Sequence, residues 1–103
     1  MSDAAPRPKD ALYGHFARLG KAAASPKRLE LLDLLCQGPR TVEDLATRTR
    51  QSVASASHHL RKLRVAGLVG SSKDGLHVTY RLADDAVIPL VARLKDLARR
   101  RRA

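Results

Sequence analysis

The hydrophobic pattern of this chain changes its period at Ala66-Gly67, and that change constrains the fold more than any other feature. Before it, apolar residues recur at the three- and four-residue spacing of helices; directly after it, they alternate as in strands, until a helical spacing returns near Asp84. Asp74-Gly75 lies between two extended runs, 68–72 and 76–81, which predicts a β-hairpin. A chain of 103 residues is long enough for one domain, so we expect several helices and one hairpin to share a core.

Local start and stop signals divide the rest of the chain into helices. Ser25-Pro26 is a start signal, because serine caps a helix N-terminus and proline is tolerated in the first turn. Gly38-Pro39 is a stop signal. The five predicted helices begin near Lys9, Ser25, Thr41, Ser52 and Asp84, and the hairpin lies between the last two.

The third and fourth predicted helices are separated by only a few residues around Arg50-Gln51. The fourth has small polar residues in its first half and basic residues later, a pattern typical of a helix-turn-helix followed by a wing. An αα-hairpin in a bundle is the alternative, although bundle surfaces favour Glu, which this helix lacks. The predicted apolar faces are Val42, Leu45, Ala46 and Thr49 on the third helix, and Val53, Ala56, Leu60 and Leu63 on the fourth. In the second strand we expect Leu76, Val78 and Tyr80 to share one face.

The charge distribution indicates a partner for this segment. The chain has 20 Lys and Arg against 10 Asp and Glu, and none of the acidic residues lies between Leu45 and Lys73. A surface that meets phosphates should lack carboxylates, because each would repel the nucleic-acid backbone. We therefore predict a surface for double-stranded DNA. Its candidate residues are Arg50, Ser52, Ala54, Ser55, Ser57, His58, Arg61, Lys62, Arg64, Lys73 and His77.

The first and last helices carry apolar stripes that one small domain cannot easily cover. We predict that they pack together across a two-fold axis and form a homodimer; packing within one chain is the alternative. The predicted divisions are a flexible arm over 1–8, a DNA-binding and dimerisation domain over 9–98, and a basic tail over 99–103. The candidate dimerisation residues are Leu12, Phe16, Leu19, Leu90, Val91, Leu94 and Leu97.

Several functional classes are disfavoured by composition and length. No apolar run approaches the roughly 18 residues of a membrane span, and the N-terminus lacks the apolar segment of a secretory signal. The single cysteine, Cys36, excludes an intrachain disulfide framework and a Cys-rich zinc module. A domain this small has little room for a large active-site cavity. We expect a cytoplasmic, non-enzymatic protein that needs no cofactor.

The order of helices and hairpin resembles the ArsR/SmtB family of dimeric winged-helix repressors. The motif Ser57-x-His59-Leu60-x-x-Leu63-x-x-x-Gly67-Leu68-Val69 carries the resemblance, supported by segments 25–32, 42–46 and 74–82. It implies a mostly α fold with a small β-hairpin wing in the order α-α-α-α-β-β-α. It also implies a homodimer, an operator with two-fold symmetry, and repression relieved by a chemical signal. The chain departs from the family at Arg50, where the turn usually holds glycine.

The resemblance also marks where metal sensors of the family hold their ions, and most of those positions lack ligands here. Thr41 stands in place of a cysteine, and Asp84 is followed by non-ligating residues at Ala86, Leu97 and Arg100. The resemblance thus implies a repressor without an intact metal site of the common kinds. Cys36 remains a candidate redox sensor. A thiol- or persulfide-responsive regulator and a winged-helix protein-interaction module are therefore the alternative functions.

Overall fold

The computed structural model describes residues 7–101, which form five helices and one three-stranded antiparallel sheet. The elements are α1 (Pro8–Ala23), α2 (Pro26–Leu35), β1 (Arg40–Thr41), α3 (Val42–Arg48), α4 (Val53–Val65), β2 (Val69–Asp74), β3 (His77–Leu82) and α5 (Val87–Arg100). The strand order is β1-β3-β2. The predicted helix and hairpin order is confirmed, with the short strand β1 as an addition. None of the helices in this range is both long and apolar enough to cross a membrane.

Three predicted helix starts are confirmed by side-chain caps. The hydroxyl groups of Ser25, Thr41 and Ser52 each accept a hydrogen bond from the amide three residues later, at 3.3, 3.2 and 3.0 Å. Each bond satisfies one of the amide groups that a helix N-terminus leaves without a partner. The sequence therefore fixes where α2, α3 and α4 begin.

The core lies where α2, α3 and α4 meet over the sheet. Leu31, Leu45, Leu60 and Leu63 have no solvent exposure. The predicted apolar faces of α3 and α4 are confirmed as buried, except for Val53, which is 48% exposed. That prediction was wrong because Val53 is the first residue of α4 and lines an open groove beside the wing rather than the core.

The predicted hairpin is confirmed, but its turn lies one residue later than expected. Asp74 pairs with His77, so Gly75 and Leu76 form the two-residue loop. Gly75 has a φ of 62°, a value that favours glycine at the first position of such a loop. Leu76 is consequently 93% exposed at the tip. It lies outside the strand but still lines a groove together with Val78, with which it was predicted to share a face.

The predicted terminal segments fall partly outside the described residues. Residues 1–6 of the predicted arm and residues 102 and 103 of the predicted tail lie outside them. Pro8 begins α1, and α5 continues through Arg100. Arginine is a good helix former, and positive side chains in a last turn interact favourably with the helix dipole.

Helices α1 and α5 leave most of their apolar stripes uncovered in the single chain. Helix α1 has no buried residue, whereas α5 buries Val87 and Val91 in the core. The other six residues of the predicted dimerisation set are all exposed by more than a third of their surface: Leu12, Phe16, Leu19, Leu90, Leu94 and Leu97.

The turn between α3 and α4 places an arginine in a conformation that favours glycine. Arg50 has a φ of 55°, and it is the one non-glycine residue among residues 7–101 with a positive φ. Its amide donates to the carbonyl of Thr47, and the amide of Gln51 donates to that of Ala46, at 3.2 and 3.0 Å. These two bonds form the usual glycine-type end of a helix, so the turn geometry is kept although glycine is absent.

We predict that the backbone conformation at position 50 favours glycine over alanine. The free energy of unfolding of Arg50→Gly should be about 1 kcal/mol higher than that of Arg50→Ala, because only glycine adopts this backbone conformation without a steric penalty. Urea denaturation measures the difference. Equal stability of the two variants would contradict the backbone argument.

Candidate nucleic-acid interface

Helix α4 presents one side to the core and the opposite side to solvent. Ala56, Leu60 and Leu63 are buried. At 100° per residue, Ala54 and Arg61 fall on the far side of the helix, and both are exposed. His58 and Lys62 are exposed on the same side, so this outward face combines a small residue near the start with basic residues later.

A chain of side-chain hydrogen bonds attaches the start of α4 to the preceding turn. The Ser55 hydroxyl donates to Gln51 Oε1 at 2.7 Å, and Gln51 Nε2 donates to Thr49 Oγ1 at 2.8 Å. The buried Thr49 hydroxyl in turn donates to the Leu45 carbonyl at 2.7 Å. Ser55, predicted to approach the bases, therefore has its hydroxyl engaged within the protein. Sequence reasoning missed the positioning role of Gln51, although its four-residue separation from Ser55 was a usable signal.

Three other predicted residues lie at the start of α4 or on the side of the helix that faces the wing. Ser52 caps the helix through its hydroxyl. Ser57 is half-buried and lines the groove between α4 and the wing. Arg64 Nη1 donates to the Ser71 hydroxyl of β2 at 3.2 Å, which holds this cation beside the wing.

The wing carries charges of both signs. Lys73 is exposed, but its neighbour Asp74 carries the opposite charge. The Nδ1 atom of His77 lies 3.5 Å from Glu43 Oε1 of α3. The structure thus brings both Lys73 and His77 to the hairpin end, where His77 faces a carboxylate of α3 rather than standing alone.

One carboxylate of α3, that of Asp44, is paired with two arginines. Asp44 Oδ2 lies 2.9 Å from Arg40 Nη1 and 3.0 Å from Arg48 Nε. The hydrogen bond from Arg40 is the largest influence that lowers the pKa of the Asp44 carboxyl, and Arg48 adds to it. The charge of Asp44 is consequently balanced locally by the two arginines.

His59 lies on the flank of α4, between that helix and α2. Its Nδ1 atom is 3.2 Å from Arg28 Nη1, and Arg28 Nε donates to the Ala22 carbonyl. Burial is the main cause that lowers the pKa of His59, and the cationic Arg28 lowers it further. The neutral imidazole can therefore accept a hydrogen bond from Arg28 at neutral pH.

Cys36 ends α2 and is half-buried in a groove shared with Arg81 and Asp85. Burial raises the pKa of its thiol above the ordinary value, the carboxylate of Asp33 raises it further, and Lys95 opposes them. Since the thiolate is the reactive form, this environment does not activate Cys36 at neutral pH. Among residues 7–101, no group of three or more His, Cys, Asp or Glu side chains is arranged to hold a metal ion.

We predict that acid destabilises the fold partly through His59. Its folded pKa is below the ordinary 6.5, so the unfolded chain binds the proton first as the pH falls. The contribution of neutral His59 to the stability of the fold is complete above the ordinary pKa of 6.5 and is lost as the pH drops through the lower pKa of the folded state. His59→Gln should therefore show a smaller fall in its urea midpoint between pH 7.5 and pH 5.

An unchanged profile in His59→Gln would contradict the assignment.

The comparisons with known proteins agree with this geometry. A family model described as bacterial regulatory protein, arsR family, matches residues 25–71. The chain is 42% identical over 90 residues to the HTH-type transcriptional regulator Rv0324 of Mycobacterium tuberculosis. The aligned region covers 87% of this chain and 40% of that protein. The chain is also 37% identical over 82 residues to the HTH-type transcriptional regulator YgaV of Escherichia coli, covering 79% and 83%. The chain thus spans less than half the length of the mycobacterial relative.

Solved structures show the same fold. The homodimeric winged helix-turn-helix DNA-binding domain of Mb0332 from Mycobacterium bovis matches with a TM-score of 0.82 and 41% identity, covering 95% of this chain and 90% of that one. NolR from Sinorhizobium fredii matches with a TM-score of 0.78 and 31% identity, covering 94% and 96%. The predicted winged helix-turn-helix is therefore confirmed, and the chain belongs to the ArsR family of DNA-binding transcription regulators.

Proposed function

We propose that this chain is a dimeric, sequence-specific repressor of transcription that binds double-stranded DNA through α4. The observation that carries the proposal is the outward face of α4, where Ala54, His58, Arg61 and Lys62 are exposed on a segment without carboxylates. Such a face suits a major groove, because small residues permit close approach and basic residues contact phosphates.

Each predicted contact residue has a role in this proposal. Small and polar residues near the start of α4 approach base edges, and the later cations contact phosphates. The Ser55 hydroxyl positions α4 through its hydrogen bond to Gln51. The His77 side chain contacts the DNA backbone once its imidazole has moved away from the Glu43 carboxylate. The base-edge set is Ser52, Ala54, Ser57 and His58; the phosphate set is Arg50, Arg61, Lys62 and Arg64, with Lys73 from the wing.

Dimerisation is supported by the uncovered stripes of α1 and α5. The similar domain from M. bovis is described as homodimeric. A two-fold dimer presents two copies of α4, each to one half of an operator with the same symmetry. We infer a repressor that acts in the cytoplasm without a metal at the family's usual sites, since Thr41, Ala86, Leu97 and Arg100 replace ligands there.

Reversing two charges on α4 tests the DNA-binding face. Arg61→Glu/Lys62→Glu should lower the affinity for a 40-bp random-sequence duplex by about 100-fold or more at low salt, because it replaces attraction to phosphates by repulsion. Fluorescence anisotropy measures the affinity, and circular dichroism checks the fold. The matched double reversal Arg93→Glu/Arg100→Glu on α5 should have a much smaller effect.

Unchanged affinity of the α4 variant for the duplex would exclude the outward face of α4 as the DNA-binding surface. A wild-type protein that did not bind the duplex would favour the protein-interaction alternative.

A charge placed in the α5 stripe tests dimerisation. Leu90 is 54% exposed, so Leu90→Glu should leave the core intact but oppose burial of the stripe against a second copy. Sedimentation velocity should show a shift from dimer to monomer. Ala92→Glu lies on the opposite side of α5 and should remain dimeric. A wild-type protein that sedimented as a monomer would refute the proposed assembly.

A further inference from the structure

A basic groove lies between α1 and α4, outside the predicted contact set except for Lys62. It is lined by four cationic side chains, Arg18, Lys21, Arg28 and Lys62, and by three apolar ones, Ala22, Val65 and Ala66. No acidic residue is among those that line the groove. Helix α1 therefore contributes Arg18 and Lys21 to a surface suited to an anion.

The groove is continuous with the outward face of α4. Lys62 and Val65 line the groove and also line a shallow depression formed with His58 and Arg61. A duplex that contacts Arg61 and Lys62 therefore has a path of positive surface leading towards α1. A small free anion would not need this continuity, whereas a nucleic-acid backbone with a phosphate about every 3.4 Å of rise along each strand would use it.

Two cations of the groove are held in place before any ligand binds. Arg28 Nε donates to the Ala22 carbonyl, and its Nη1 lies 3.2 Å from His59 Nδ1. Arg18 Nη2 likewise lies 2.7 Å from His15 Nδ1. Arginines positioned in this way lose less side-chain freedom on binding a phosphate than mobile ones.

We infer that this groove binds the phosphate backbone of the duplex that α4 reads, so that α1 supplies phosphate contacts in addition to those of the helix-turn-helix. The inference rests on the proposed function. It assigns to Arg18 and Lys21 a role in affinity that does not depend on base sequence, because phosphates carry no sequence information directly.

The test is the salt dependence of binding to a 40-bp random-sequence duplex, measured by fluorescence anisotropy between 50 and 300 mM salt. The slope of log K against log salt is negative, and each lost phosphate contact reduces its magnitude by about 0.9. Arg18→Gln/Lys21→Gln should therefore reduce the magnitude of the slope by about 2 per protomer. The control Arg93→Gln/Arg100→Gln removes the same charge from α5 and should change the slope much less. Arg18→Lys/Lys21→Arg should restore the wild-type slope.

The outcomes separate this inference from the proposed function. A wild-type protein that failed to bind the duplex would overturn both. Binding that persisted with the same slope in the Arg18/Lys21 and control variants would overturn the groove alone. Titration with inorganic phosphate at constant ionic strength, followed by NMR, forms the last arm. Saturable binding that Arg18→Gln/Lys21→Gln abolishes, together with an unchanged DNA slope, would assign the groove to a free anion and refute the inference.

Discussion

The burial of one side of α4 against α2 and α3 is the interaction on which the rest of the structure depends. Ala56, Leu60 and Leu63 have no exposure, so the rotation of α4 about its axis is fixed. The hydrogen bonds from Ser55 through Gln51 to Thr49 fix its start relative to α3. With rotation and position both set by the core, the basic side of the helix projects as a rigid surface, which is what recognition of a duplex requires.

Local neutralisation of one acidic group limits its effect on that surface. Asp44 is held between Arg40 and Arg48. This carboxylate stands on α3, close in the fold to a helix that has none. Because exposed ion pairs contribute little to stability, we interpret their effect as mainly electrostatic: the two arginines balance the charge of Asp44, so that it offsets the cations of α4 less than a free carboxylate would.

Features set by short-range chemistry were predictable from the sequence, and features set by tertiary contacts were not. The caps at Ser25, Thr41 and Ser52 follow from residue type and helix phase. The turn of the hairpin lies one residue later than predicted because Asp74 belongs to β2 and pairs with His77 of β3. Only the register of the two strands shows this pairing. Strand β1 is too short to show alternation, and the groove of Arg18 and Lys21 joins residues that lie far from α4 in sequence. The dimer contacts remain predictions.

The uncovered apolar stripes of α1 and α5 have a consequence for gene control. If the operator-binding form is the dimer, its concentration varies with the square of the monomer concentration when protein is scarce. Promoter occupancy would then rise more steeply than protein abundance, which gives a threshold without any effector. The rates at which a cell synthesises and degrades this protein would then set the expression of the genes that it controls.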